Sequence, residues 1–312
     1  MIPFAALFPG QLSEKPEMGE RLARAYPYVR RFLEEVGDRS GVDLPATFFG
    51  EGSASLHDDL PAQVGVFAVS VAVLDVMERE HGVWPGAAAG YSLGTYAAFV
   101  AAGALDRWEA LTVLLEVERL LRVHRPDGGM GFVVGVPLPD LEREIARIST
   151  DGDLAVANRN APLQLVVTGR SSAVDRLLAA VGPRALRVGR LALPWPMHAV
   201  SLGPVCDQLA RFVASRVAVK PPSRSRLFAP MLGREVASSE EAAEVLSRQV
   251  ASPSDWEGTL RALSASGFTR FAEVGPGDVL ARMLRWTLRR AHAGVMEDPE
   301  STARFVASLE VA

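Results

Sequence analysis

The 312 residues predict an α/β fold in which a large domain of alternating strands and helices is interrupted by a small α+β insertion. Three observations carry this. The stretch Gly90-Tyr91-Ser92-Leu93-Gly94 has the form G-x-S-x-G, with a small apolar run (Ala87, Ala88, Ala89) before it and a helix-forming run closed by Gly103 after it. That is the context of a buried strand, a sharp turn and a helix. Residues 130–192 alternate strand-like and helix-like segments in the order β-α-β-β-α-β, the ferredoxin-like arrangement. The composition, 48% apolar and 22% charged, supplies a sizeable core for one large domain with an insertion or for two domains.

Taken in order, residues 4–8 read as a short buried strand running into the turn Pro9-Gly10-Gln11. A helix is expected over 18–36, with Leu22, Ala25, Tyr26, Val29 and Phe32 on one face. Residues 37–60 are Gly-, Asp- and Ser-rich and read as loop, and 62–80 as a mostly apolar, buried helix. After the strand and turn at 86–94, a helix over 107–123 carries Val113, Leu114, Val117, Leu120 and Leu121 in one apolar stripe. Pro126-Asp127-Gly128-Gly129 breaks the pattern, and a boundary is expected there.

In the insertion, strands are expected at 131–136, 154–157, 163–168 and 185–188, with helices near 138–148 and 171–181. Beyond it come a helix over 202–217, a strand at 226–230, helices near 239–250 and 254–266, and a strand at 270–274. The turn Gly275-Pro276-Gly277-Asp278 leads to a helix over 279–291, and little decides whether 297–312 is helical.

Several classes are disfavoured by composition. The single cysteine, Cys206, supports neither a disulfide framework nor a cysteine metal cluster. No run of about 18 uninterrupted apolar residues suggests a membrane span, and the N-terminus lacks the pattern of a signal peptide, so a cytoplasmic protein is expected. A net charge of −4 argues against general nucleic-acid binding.

On the turn, the Ser92 hydroxyl would project beside amides at a helix N-terminus, where an oxyanion can be stabilised. A base is needed, and the five histidines are His57, His81, His124, His198 and His292. Residue types alone do not choose among them.

Five stretches in order decide more: Phe8-Pro9-Gly10-Gln11, Gly90-Tyr91-Ser92-Leu93-Gly94, Asn158-Arg159-Asn160-Ala161-Pro162, Met197-His198-Ala199 and Glu273-Val274-Gly275-Pro276-Gly277. From residue 4 to about 290 the chain resembles the malonyl-CoA:acyl carrier protein transacylase family, which includes the discrete and embedded acyltransferases of polyketide synthesis. The resemblance implies an α/β-hydrolase-like large domain at 1–128 and 194–312, with a ferredoxin-like subdomain at 129–193. It implies ping-pong acyl transfer: Ser92 attacks an acyl thioester with His198 as general base, and the phosphopantetheine thiol of a carrier protein then attacks acyl-Ser92.

The family's oxyanion hole falls on the amides of Gln11 and Leu93. Its histidine-orienting backbone carbonyl falls on Gln249. No bound cofactor is expected, because phosphopantetheine arrives on the carrier protein or on CoA. The expected partners are acyl carrier proteins and, as a possible donor, acyl-CoA, with no nucleic acid or membrane, and a monomer is expected. Asn158, Asn160 and Gln11 also read as turn and packing residues, Gln11 contributing only its amide.

The chain also departs from the family. Malonyl-type members grip the substrate carboxylate with an arginine on the helix after the nucleophile. The equivalent position here is Val117. Arg119 lies two residues on, a rotation of about 200° around the helix, so it faces away. The expected acyl group therefore lacks a free carboxylate; relatives that pass aminoacyl or dipeptidyl starters between carriers are the nearest kind. Alternatives are an editing hydrolase and a malonyl transacylase with a displaced carboxylate-binding residue.

Tyr91 stands where the family usually has histidine, Leu12 and Glu14 replace glycine and glutamine, and Trp195-Pro196-Met197 precedes His198. Trp195 and Met197 line a wider apolar channel or simply pack. Carrier proteins are acidic, so Arg282, Arg285, Arg289 and Arg290, with 285 and 289 at i, i+4, read either as a docking surface or as a solvated helix face.

Overall fold

The computed structural model describes residues 2–49, 59–149 and 151–310. His57 and the whole 50–58 part of the expected 37–60 loop lie outside the described residues. The elements follow the order β1 (Phe4–Phe8), α1 (Glu20–Ala25), α2 (Pro27–Ser40), α3 (Leu44–Phe48), α4 (Asp59–His81), β2 (Ala87–Gly90), α5 (Thr95–Ala102) and α6 (Arg107–His124). Next come β3 (Gly129–Val134), α7 (Leu138–Ile148), β4 (Leu154–Ala161), β5 (Gln164–Gly169), α8 (Ser171–Val181) and β6 (Arg187–Arg190). The chain ends through α9 (Gly203–Arg216), β7 (Arg226–Ala229), β8 (Arg234–Glu235), α10 (Ser239–Arg248), β9 (Ser254–Asp255), α11 (Trp256–Ala265), β10 (Arg270–Val274), α12 (Val279–Thr287), β11 (His292–Met296) and α13 (Pro299–Ser308).

The large sheet has the order β11-β10-β1-β2-β7-β8. Its pairs are parallel except the short β7–β8 edge. Central strands β1 and β2 are wholly buried, as a parallel sheet covered on both faces requires, which is why they read as unbroken apolar runs. The helix α4 is apolar all round, and 89% of its most apolar window lies inside the fold. By length and composition that helix is able to cross a membrane; here it is the core helix of the large domain.

The second sheet, β6-β3-β5-β4-β9, is antiparallel over its first four strands. With α7 and α8 it makes the ferredoxin-like unit. Alternation sorts its side chains: Val133, Leu165 and Val167 pack under α7 and α8, whereas Met130 and Val166 face the large domain. The fold is thus the α/β large domain with a ferredoxin-like subdomain that the sequence predicts.

Several elements differ from expectation. The 18–36 helix is two helices, because Pro27 forces Tyr26 into an extended conformation (φ −127°, ψ 105°) and restarts the chain at α2. Residues 37–49 are not loop throughout: α2 runs to Ser40, and Asp43 caps the short α3 through the amide of Ala46. The last expected strand of the insertion is shifted to β6, and 254–266 begins with the two-residue strand β9, which adds to β4 in parallel. The 279–291 helix ends at Thr287, because the chain must straighten at Leu288 (φ −127°) to reach β11 beside β10. The 297–312 segment contains α13, started by a capping box at Asp298 and Ser301.

The turn after β2 depends on two glycines. A Cβ on Gly90 would lie 2.2 Å from the Gly94 carbonyl carbon, and one on Gly94 would lie 2.1 Å from the Phe8 carbonyl oxygen, both shorter than any real contact. Gly94→Ala is therefore expected to destabilise the protein by about 2 kcal/mol or more in urea denaturation; an unchanged midpoint would contradict the close approach of β1 to the turn.

Candidate active site

Strands β1, β2 and β10 all deliver their carboxyl ends to one edge of the large sheet, where open α/β sheets place their sites. Ser92 follows β2 directly. Its backbone is left-handed at φ 51°, the sharp bend that turns its side chain out of the strand. The Ser92 Oγ lies 3.0 Å from His198 Nε2. The ring's other nitrogen, Nδ1, lies 3.0 Å from both the Gln249 and the Ser252 carbonyl oxygens. Carbonyl oxygens only accept, so Nδ1 carries the proton and Nε2 of the neutral ring is left to accept from Ser92. His198 is also left-handed (φ 62°), and its own amide donates to the Val250 carbonyl at 2.7 Å.

Burial lowers the His198 pKa below the ordinary histidine value, against the two carbonyl contacts that raise it. The Gln249 side chain is also used: its Oε1 accepts from Thr95 Oγ1 at 3.1 Å, tying the carbonyl that orients the histidine to the helix after the serine. Ser252 and Thr95 carry no motif of their own, and nothing in the residue order marks them.

Ser92 opens into a cavity of about 290 Å³ between the large domain and the inner face of the second sheet. The residues expected at the site that line it are Gln11, Leu93, Tyr91, Val117, Trp195 and Met197, beside Ser92, His198 and Gln249. Val117 is 3% exposed. Arg119 is not there: it is 57% exposed and paired with Glu116. Among the described residues lining the cavity there is no lysine or arginine, and the one charged side chain is Asp59. Asp59 accepts from Gln11 Nε2 at 2.5 Å and from Trp195 Nε1 at 3.1 Å, so Trp195 is anchored as well as packed.

Asn158 and Asn160 are not turn residues. They lie on β4, buried, and both line the cavity. Asn160 hydrogen-bonds Tyr91, whose ring stands edge-on to Trp256 at 5.5 Å, and burial pushes the phenol pKa up.

The four arginines of the expected docking surface do not share one helix. Arg282 and Arg285 lie on α12, whereas Arg289 and Arg290 follow it, so the i, i+4 argument for 285 and 289 fails. All four are nevertheless exposed, together with Trp286 at 72%. Arg282 pairs with Asp278 at 2.8 Å. Val279, Leu280 and Met283 on the other side of α12 line the cavity.

Comparison with known proteins gives the family and the fold. The profile of a family described as the acyl transferase domain matches residues 7–310. The malonyl CoA-acyl carrier protein transacylase of Bacillus subtilis (strain 168) is 28% identical over 99% of this chain and 98% of that protein. Polyketide synthase GfsE of Streptomyces halstedii is 31% identical over 94% of this chain, which matches 8% of that much longer protein. Among solved structures, a type II PKS acyl-carrier protein in complex with its malonyl-transacylase matches with a TM-score of 0.92 at 28% identity, covering 98% of this chain and 99% of that one.

With the neutral ring favoured by burial, the His198 imidazole is expected to titrate below 6.5 and to be uncharged at pH 7. A nitrogen NMR titration of the labelled protein checks this; a midpoint at or above 6.5 would contradict it.

Proposed function

The chain belongs to the acyl transferase domain family, and from that premise we propose that it moves a carboxylate-free acyl group through an ester on Ser92 to the phosphopantetheine thiol of an acyl carrier protein. The donor is an acyl thioester of CoA or of another carrier protein. His198 Nε2 takes the Ser92 proton as Oγ attacks the thioester carbonyl, and the amides of Leu93 and Gln11 hold the oxyanion. The C–S bond breaks, and the departing sulfur takes the proton from His198. In the second half-reaction His198 deprotonates the incoming thiol, which attacks the acyl-Ser92 carbonyl, and Oγ leaves with that proton. Both halves use one base in one place, which suits a ring whose tautomer is set by two carbonyls.

The observation that carries the substrate reading is the lining of the cavity, where Val117 stands and no lysine or arginine is present among the described residues. A malonyl carboxylate buried there would have no cationic partner, at a cost of several kcal/mol, and Asp59 would repel it. The malonyl transacylases among the relatives favour a second reading, malonyl transfer, and the two readings predict different adducts. For the carrier protein, the exposed arginines at 282, 285, 289 and 290 offer positive charge on and just beyond the helix that lines the cavity, a docking surface for an acidic partner.

Intact-protein mass spectrometry separates the readings. Neutral acyl thioesters are expected to give an adduct that is lost in Ser92→Ala, with malonyl-CoA slower by about a hundredfold or more. Val117→Arg, which puts a cation on the cavity wall, is expected to raise malonyl loading. Malonyl loading of the unaltered protein at the rate of neutral acyl groups would overturn the substrate reading and leave a malonyl transacylase.

A further inference from the structure

The cavity wall supplied by the second sheet is apolar at Met130, Phe132 and Val166, but it carries two buried amides, Asn158 and Asn160, at 3% and 2% exposure. Neither is fully paired. Asn158 Nδ2 is a buried donor without a hydrogen-bond partner, and Asn160 Oδ1 is a buried acceptor without one. Buried polar atoms are paired almost throughout a folded protein, because an unpaired one loses its water and gains nothing. An open donor and an open acceptor on one cavity wall therefore point to a ligand.

The backbone brings the two residues together. Strand β4 slips register against β5 twice, between Val156 and Asn158 and between Arg159 and Ala161. Ala157 and Asn160 are the extra residues, and bulges of this kind re-aim side chains next to active sites. The asparagines stand two positions apart, about 7 Å along a strand, near enough for one small group to reach both. Asn160 is also tied to Tyr91, the residue before the nucleophile, which sets the pair toward the reacting end of the acyl group.

One open donor and one open acceptor select among ligand groups. A ketone or a carboxylate only accepts and an ammonium only donates, so each leaves one asparagine unpaired. The N–H and C=O of a trans secondary amide point in opposite directions, so an amide meets one asparagine and turns its other group away from this wall. A hydroxyl donates and accepts through a single oxygen.

Resting on the transferase reading above, we propose that the acyl group carries a hydroxyl on carbon 3, and that Asn158 and Asn160 are the specificity residues that receive it. Asn158 Nδ2 donates to the hydroxyl oxygen, and the hydroxyl donates to Asn160 Oδ1. A plain alkyl chain leaves both asparagines buried and open, whereas the hydroxyl closes both with one atom.

Butanoyl, the two enantiomers of 3-hydroxybutanoyl, and malonyl test this as thioesters of pantetheine and of N-acetylcysteamine, whose shorter arm has no hydroxyl of its own. The rate of Ser92 acylation is read by intact-protein mass spectrometry at pH 7. In the unaltered protein one enantiomer of 3-hydroxybutanoyl is expected to load about tenfold faster than butanoyl on either arm, the scale of two neutral hydrogen bonds. Asn158→Leu, which removes the donor, is expected to bring that ratio close to one. Equal rates for butanoyl and both enantiomers would overturn this inference and leave the carboxylate-free reading standing. Equal acyl rates with a pantetheine advantage that vanishes in Asn158→Leu would give the pair to the hydroxyl of the arm, and would also overturn it. So would an Asn158→Leu protein that slows butanoyl and 3-hydroxybutanoyl by the same factor, since Asn158 would then be structural only. Rapid malonyl loading would overturn the carboxylate-free reading instead, and no Ser92 adduct with any thioester would overturn the transferase reading and this inference with it. Should Asn158→Leu fail to fold, the ratios in the unaltered protein still decide.

Discussion

Two non-glycine residues with left-handed backbones, Ser92 and His198, meet across 3.0 Å, and the rest of the site is built to keep them there. Each such conformation costs about 1–3 kcal/mol and persists only where its surroundings over-determine it. For Ser92 the surroundings are Gly90 and Gly94, which let β1 and the first turn of α5 close on the bend without side chains between them. For His198 they are three backbone carbonyls, of Gln249, Val250 and Ser252, all from the segment that follows α10. Thr95 then links that segment to the nucleophile helix through the Gln249 side chain. A histidine held by carbonyls needs no carboxylate to choose its tautomer, because the carbonyls can only accept.

The cavity is where the two domains share a task. The large domain provides Ser92, His198, Val117 and Asp59, and the inner face of the second sheet provides Met130, Asn158, Asn160 and Val166. Period-two alternation is what allows one thin sheet to do this: the same strands that bury Leu165 and Val167 under helices turn Gln164 and Val166 to the cavity. Helix α12 closes another wall, with Val279, Leu280 and Met283 lining the cavity and Arg282 and Arg285 exposed on the same helix.

Much of this was legible in the sequence, for definite reasons. The G-x-S-x-G turn was readable because its glycines are obligatory and its flanking periodicities change from strand to helix. The β-α-β-β-α-β order was readable because α7 and α8 are amphipathic and sit between short apolar strands. What escaped is non-local or short. Strands β8, β9 and β11 are edge pieces whose pairing depends on distant partners, and α3 rests on one capping aspartate. The 279–291 segment has helical periodicity, but tertiary demand ends the helix at Thr287. Asp59 had no motif around it, and its place beside Gln11, Trp195 and Glu118 joins residues up to 136 positions apart. Ser252 acts through its backbone, where residue type leaves no mark.

Acyl transfer at this site requires an activated serine at that turn. A serine-directed fluorophosphonate reads it directly, since only a serine with a base within reach reacts quickly. Peptide mapping should place one adduct on the peptide containing Ser92, with labelling strongly slowed in His198→Ala. Labelling at another residue, or labelling of Ser92 at the same rate without His198, would contradict the central claim.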